Sequence, residues 1–219
     1  MIQLFLTNVA ALAIEACRGQ VSRARWEKAS RYRNDTDRRL SLGVELLLNY
    51  GLKRLGIACP HPVDCTWDAR GKPCLSEIPL EISLSHAGDL AVCAFADSPV
   101  GVDVERETAF DATLVQTFFH PNEISDIEAS PSPRARFFAL WTLKESYLKA
   151  HGCGLARPLD SFWIDQDEKR VHSGGRIETC RLQSWQKGDY HLAACVRSDT
   201  PIELACLLET DIRDCLAIR

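Results

Sequence analysis

Ten cysteines are spread through the 219-residue sequence, yet no two form a Cys-x-x-Cys pair. Nor do the six histidines stand at a spacing that would complete a zinc site with them, so zinc-ribbon and thioredoxin-type chemistry is excluded. The cysteines run from Cys17 to Cys215 among apolar neighbours, and Cys93, Cys195 and Cys206 sit inside strand-like or apolar runs. In such places cysteine acts as a small buried hydrophobe, which predicts reduced thiols and a cytoplasmic protein. The chain also lacks an apolar run near the ~18 residues needed to span a bilayer. Ile2 to Ala16 is its most apolar opening stretch, but it has no basic leader, is interrupted by Thr7 and Asn8, and carries Glu15 where a cleavage region would fall. A buried first strand at Ile2–Leu6 and a short helix fit that stretch better than a signal peptide. Finally, there is no excess of positive charge. A net charge of -4 argues against non-specific nucleic-acid binding, which needs a basic surface.

That net charge hides one basic stretch. Between Arg18 and Arg39 lie eight basic residues against three acidic ones. A solvated helix face has that composition, and so does a surface that meets an anion or an acidic partner.

The chain is organised as two similar passages. Asn34, Asp35 and Thr36 offer N-caps to a helix with Leu40, Val44, Leu47, Leu48, Leu52 and Leu55 at helical spacing, stopped by Gly56. A loop at Cys59–Pro73 leads to strand-like runs at Leu80–Ser85, Leu90–Ala96 and Val100–Glu105, which read as a meander because turn residues separate them. Ser132 then offers an N-cap with Pro133 at the first helical position, and Gly152 lies past the end of that second helix. Strand-like runs follow at Leu159–Ile164, Thr179–Gln186 and Tyr190–Val196, with Lys187-Gly188-Asp189 as the last hairpin turn. The expectation is an α+β fold of two similar subdomains (1–99 and 100–219), each a long helix on a small antiparallel sheet, related by a pseudo-twofold. The active site would lie at their interface.

Two segments carry the chemistry. In the strand Val100-Gly101-Val102-Asp103-Val104-Glu105 the valines share one face, while Asp103 and Glu105 share the other with α-carbons roughly 6–7 Å apart. Two carboxylates this close repel unless a cation lies between them, and hard oxygen ligands suit magnesium. A solvent-facing strand edge has the same pattern. The second segment is the helix Phe137–Lys149, whose aromatic and aliphatic residues form a broad apolar arc. Lys144 and Glu145 fall inside that arc and Lys149 at its edge, where charge is costly unless paired or bound to an ion. Glu145 and Lys149 also have the i, i+4 spacing of a surface ion pair. Upstream, Arg70-Gly71-Lys72-Pro73 and Ser83-Leu84-Ser85-His86 place donors at a loop and at a strand end.

Together these segments resemble the phosphopantetheinyl transferases. Gly101–Glu105 matches the family's Gly-(Ile/Val)-Asp-(Ile/Val)-Glu signature. Trp141-x-x-Lys144-Glu145-Ser146-x-x-Lys149 matches its Trp-x-x-Lys-Glu-(Ala/Ser)-x-x-Lys signature, with Gly71-Lys72-Pro73 and Ser83-x-Ser85-His86 as its two upstream motifs. The chain length is similar to that of the Sfp-type, a single-chain pseudo-dimer. The resemblance implies transfer of the phosphopantetheine group from coenzyme A to a serine of an apo acyl or peptidyl carrier protein, by a monomer without nucleic-acid or membrane partners. It implies that Asp103, Glu105 and Glu145 bind Mg2+, that Lys149 neutralises the leaving 3′,5′-ADP, and that Lys144, Ser85 and His86 meet the phosphates. It places Lys72 beside the adenine nucleotide and Arg39 on the first long helix near the 3′-phosphate. Glu123 matches a family glutamate that helps to deprotonate the carrier serine; an ordinary acid at a helix N-terminus is the equal alternative. Family members often carry a small hydroxyl after the basic residue on the first long helix, where this chain has Leu40.

A metal-dependent phosphohydrolase acting on coenzyme A would use the same carboxylates with water as nucleophile, and would release 3′,5′-ADP without a carrier. A non-catalytic coenzyme A module predicts a missing metal ligand, whereas all three carboxylates are present. A purely structural protein leaves Lys144 and Glu145 in the apolar arc unexplained. For the carrier, the basic stretch around Arg23 and Arg25 and an apolar surface around Phe118, Phe119 and Ile124 are the expected docking features.

Overall fold

In the computed structural model, which describes residues 2–197 and 204–217, the first half of the chain forms β1 (Ile2–Asn8), α1 (Arg23–Ala29), α2 (Asp35–Arg54), β2 (Cys65–Trp67), β3 (Pro73–Leu75), β4 (Glu81–Ala87) and β5 (Leu90–Ala96). There follow β6 (Val100–Arg106), α3 (Ala112–Phe118), α4 (Pro121–Ala129), α5 (Pro133–His151), β7 (Phe162–Asp165), β8 (Arg170–Ser173), β9 (Arg176–Ile177), β10 (Arg181–Lys187), β11 (Tyr190–Val196), β12 (Leu204–Thr210) and α6 (Ile212–Leu216).

Local signals set the ends of the long helices. The Asn34 side chain accepts a bond from the Asp37 amide at 2.7 Å, with Asp35 and Asp37 in the first turn of α2 and Lys53 and Arg54 in its last. That charge order suits the helix dipole. Pro133 opens α5, and Gly152 closes it in the left-handed conformation at φ 60°.

The sheets stack between these helices. One sheet has the order β12-β1-β5-β4 and another β10-β11-β6. Strand alternation splits the core accordingly. Phe5, Cys93 and Phe95 face α2, joined by Leu47, Leu48 and Leu52. Leu4, Leu6, Val92 and Ala94 face the other way, onto Val100, Val102, Val104, Leu192 and Ala194 of the second sheet. The far side of that sheet, with Ala193 and Cys195, lies under Leu140, Leu143 and Tyr147 of α5. The result is an α+β stack of four layers, helix–sheet–sheet–helix.

Three features depart from the sequence pattern. The predicted meander stops at β5, because β6 pairs instead with β11, in the register Ala193 to Asp103. As the edge strand of that second sheet, β6 turns its valine face onto Leu4, Leu6, Val92 and Ala94 of the first. Similarly, β7 pairs with β8 rather than β10. The chain's last elements also cross over. β12 runs parallel to β1, and Ile212 and Cys215 of α6 join the α2 core, so residues assigned by sequence to a 100–219 subdomain complete the first half in space. The nine described cysteines are all free; the side chain of Cys206 lies outside the described residues. Among the described residues, no helix is long and apolar enough to cross a membrane.

Candidate active site

Gly101 determines how the two chemical segments meet. A Cβ there would collide with the Ser146 carbonyl and the Ala150 amide nitrogen and stand 2.9 Å from the Lys149 Cβ. The glycine thus makes room for the backbone of α5. With the helix seated that close, Lys149 reaches across β6. Its ammonium donates to Asp103 Oδ1 at 2.7 Å, to the Ser85 hydroxyl at 3.0 Å and to the Val102 carbonyl at 3.1 Å. Ser85 in turn donates to the same Asp103 oxygen at 2.8 Å.

Beside this triad Asp103 is buried, while Glu105 and Glu145 are half-buried. Asp103 is 4% exposed, and its Oδ2 is buried with no hydrogen-bond partner. Burial pushes Glu105 up to about 7, with Asp103 and Glu145 adding repulsion and Lys149 opposing it. Glu145 is likewise raised, first by burial and then by Asp103. Asp103 thus raises both glutamates. Among the described residues no three His, Cys, Asp or Glu side chains stand close enough to close on one metal ion. The donors nonetheless fit an oxygen-seeking divalent cation, because an orphaned buried carboxylate oxygen lies among mutually repelling acids.

Next to the acids opens a cleft of about 410 Å³, lined by Ser85, His86, Glu145 and Lys149 and by the loop Arg70-Gly71-Lys72-Pro73. Arg25, Lys28 and Trp67 complete its wall. Five lining residues are cationic (Arg25, Lys28, Arg70, Lys72 and Lys149), so the cleft is built for an anion with several charges. Lys72 is held by Glu81 at 2.8 Å. His86 has its pKa lowered by lost hydration, then by the Lys149 charge, with Arg25 and Lys28 contributing.

Not every predicted site residue is here. Lys144 and Glu123, expected at the phosphates and at the serine, are instead each other's partners. Lys144 Nζ donates to the Glu123 carboxylate at 2.6 and 2.8 Å and to the Phe162 carbonyl at 2.8 Å. Glu123 also accepts from the Ile164 and His120 amides. Lys144 is 0% and Glu123 1% exposed. Burial raises the Glu123 pKa and lowers that of Lys144, while their attraction opposes both shifts. The charge in the apolar arc of α5 is thus resolved by pairing in the core, tying α4 and β7 to α5. Arg39 also points elsewhere, donating from Nε to the Leu12 carbonyl at 3.1 Å.

In place of Arg39, α1 supplies the cations. The Ser22 hydroxyl caps that helix by accepting from the Arg25 amide, which puts Arg25 and Lys28 one turn apart on one face. Arg25 Nε donates to the buried Glu45 carboxylate of α2 at 3.0 Å, and Glu45 also accepts from the Ser22 amide and hydroxyl. The i, i+3 spacing behind a serine cap was the available signal in the sequence.

Comparison with known proteins gives a consistent result. The family model of the 4′-phosphopantetheinyl transferase superfamily matches residues 99–195. The 4′-phosphopantetheinyl transferase gsp of Aneurinibacillus migulanus is 36% identical over 154 residues, covering 69% of this chain and 64% of its own. Sfp of Bacillus subtilis (strain 168) is 29% identical over 187 residues, covering 80% and 81%. Another 4′-phosphopantetheinyl transferase of Bacillus subtilis is 30% identical over 183 residues, also covering 80% and 81%. The solved holo-[acyl-carrier-protein] synthase of Thermotoga maritima aligns with 45% of this chain and 62% of its own, at 16% identity and a TM-score of 0.36.

Proposed function

Because the chain belongs to the 4′-phosphopantetheinyl transferase superfamily, we propose that it transfers the 4′-phosphopantetheine group of coenzyme A to a serine of an apo acyl or peptidyl carrier protein, releasing 3′,5′-ADP. The observation that carries this reading is the junction of the acidic cluster at Asp103 with a five-cation cleft of about 410 Å³. Coenzyme A has a pyrophosphate to meet the first and a phosphorylated adenosine to fill the second.

In this reading the serine Oγ attacks the β-phosphorus of coenzyme A. The bond from that phosphorus to the bridging oxygen breaks, and the bridging oxygen leaves on 3′,5′-ADP. Negative charge grows on the bridging and equatorial oxygens, so preorganised cations are the main catalytic device. Lys149 is fixed by three acceptors and is positioned to neutralise the leaving group. Lys72, Arg70, Arg25 and Lys28 hold the nucleotide. Asp103, Glu105 and Glu145 are the residues that would hold Mg2+, which when bound supplies charge neutralisation at the pyrophosphate. The serine proton needs an acceptor. Glu123 is sealed in the core, whereas the His86 imidazole lines the cleft and can take it. One chain furnishes the whole cleft from both halves, which supports action as a monomer. Reduced thiols would suit the cytoplasm.

The test incubates a panel of apo carrier proteins with coenzyme A and Mg2+ and reads intact mass. A gain of one phosphopantetheine on at least one carrier is expected, with Asp103→Ala reducing the rate at least about a hundredfold. Steady 3′,5′-ADP release without any carrier would instead identify a hydrolase.

A further inference from the structure

Trp67 is a large apolar side chain that the fold leaves in water. It is 52% exposed and stands on β2 opposite Pro73 of β3. Among the described residues, four large hydrophobic side chains are exposed in this way, the others being Leu114, Phe118 and Ile177. Of these only Trp67 lines the cationic cleft.

Its surroundings set the indole beside the cations. β2 and β3 form a ribbon of their own, and the turn between them is tied by Asp68, whose carboxylate accepts from the Arg70 and Lys72 amides, each at 2.8 Å. Lys72 leaves that turn to meet Glu81. Lys28 stands over the indole, its Nζ 5.7 Å from the ring centroid. The aromatic face and the phosphate-binding cations therefore share one frame.

An exposed ring costs the protein apolar surface in water, and an aromatic face beside several cations matches a ligand that is part ring and part phosphate. Bases stack on aromatic side chains because every base presents a π face, and a neighbouring cation strengthens such a face. We propose that Trp67 is the base-stacking residue of the cleft, with the adenine ring packed on its indole and Lys28 beside it meeting the phosphates. The inference rests on the coenzyme A reading above and adds the group that separates an adenine nucleotide from a bare polyphosphate.

The test compares the parent, Trp67→Ala and Trp67→Phe by calorimetric titration with coenzyme A, 3′,5′-ADP and inorganic pyrophosphate. Trp67→Ala is expected to weaken both adenine nucleotides about five- to hundredfold, while Trp67→Phe keeps most of the affinity and pyrophosphate binds all three proteins alike. Tryptophan fluorescence gives an independent readout. The chain has five tryptophans, so the quench on adding coenzyme A should be partial in the parent and largely lost in Trp67→Phe. Melting temperature reports that the variants remain folded. Equal coenzyme A affinity in the parent and Trp67→Ala would overturn the inference, as would an equal loss for pyrophosphate. A parent that binds neither adenine nucleotide would overturn the coenzyme A reading itself.

Discussion

Gly101 and Ser146 face each other so closely that a single added carbon on the glycine would collide with the serine's carbonyl oxygen. This contact lets α5 settle on β6 and brings Lys149 within 2.7 Å of Asp103. Gly101→Ala should cost about 1–3 kcal/mol, the usual penalty of overpacking a tight core. It should lower transfer by more than the loss of folded protein explains. Urea denaturation and turnover per folded molecule check both. Parent-like values in each would mean that α5 tolerates displacement.

Lys144 and Glu123 form a buried pair that supports the fold. Lys144→Met leaves the Glu123 carboxylate without its cation, and breaking such a pair on one side costs about 3–5 kcal/mol. Glu123→Gln should also destabilise, and combining it with Lys144→Met should recover part of the loss. Chemical denaturation of the three variants gives the answer. If Glu123→Gln abolished transfer with stability unchanged, the pair would belong to the chemistry after all.

Arg23 and Arg25, neighbours in the basic stretch, have different surroundings. Arg23 pairs with Glu27 in solvent, its side chain 93% exposed, whereas the Arg25 side chain is 9% exposed and held by Glu45. Arg25→Glu should raise the Michaelis constant for coenzyme A at least about tenfold, since it replaces a buried cation in an anion cleft with an acid. Arg23→Glu should leave that constant nearly unchanged and alter only the constant for the carrier. Equal effects of the two reversals on coenzyme A would contradict this division.

Glu105 makes stability depend on pH in a specific direction. Its carboxyl is pushed up to about 7 from 4.5 by burial and by Asp103 and Glu145. Across that window the folded chain keeps a proton that the unfolded chain has released. This group's contribution therefore falls as pH rises from about 4.5 to about 7. Relative to Glu105→Gln, the parent should be more stable at pH 5 than at pH 8 when both are melted in EDTA. Mg2+ added at pH 8 should restore more to the parent than to the variant. A parent-to-variant difference that did not change with pH would mean that Glu105 is ordinarily hydrated.

The apolar docking surface expected around Phe118, Phe119 and Ile124 is reduced by the fold. Phe119 is buried and packs on Phe137 and Trp141, leaving Leu114 and Phe118 of α3 exposed one turn apart. Phe118→Ser is expected to raise the Michaelis constant for the carrier and not that for coenzyme A. A change confined to coenzyme A would move docking to another face.

The two long helices were legible because caps, leucine spacing and terminal glycines act within a few residues of one another. The first-half strand-like runs and the final hairpin were legible as well. Strand partners were not. The alternation in Val100–Glu105 identifies which residues share a face, but either neighbouring sheet can cover a row of valines. The short elements α1, α3, β8 and β9 have too few residues to impose a period and depend on what they pack against. Arg25 and Lys28 were missed as wall residues for the same reason. Their composition registered, but their shared face needed a helix held by the Ser22 cap, the Glu45 contact and the packing of Trp26 and Ala29 on the α2 core.

By itself the sequence determined the residue types of the chemistry and their order, namely the paired carboxylates on one strand face and a lysine–glutamate–lysine series on one helix. Those follow from local geometry, since period two and period 3.6 are properties of the backbone. Tertiary structure decided how the charges were allotted. Of two lysines five positions apart on α5, Lys144 turns into the core to meet Glu123, and Lys149 turns to Asp103 at the cleft. The fully buried Lys144 ammonium must find a carboxylate, because desolvation makes an unpaired charge intolerable, whereas the part-exposed Lys149 stays at the cleft. Which carboxylate it finds depends on how closely Gly101 lets the helix approach the strand.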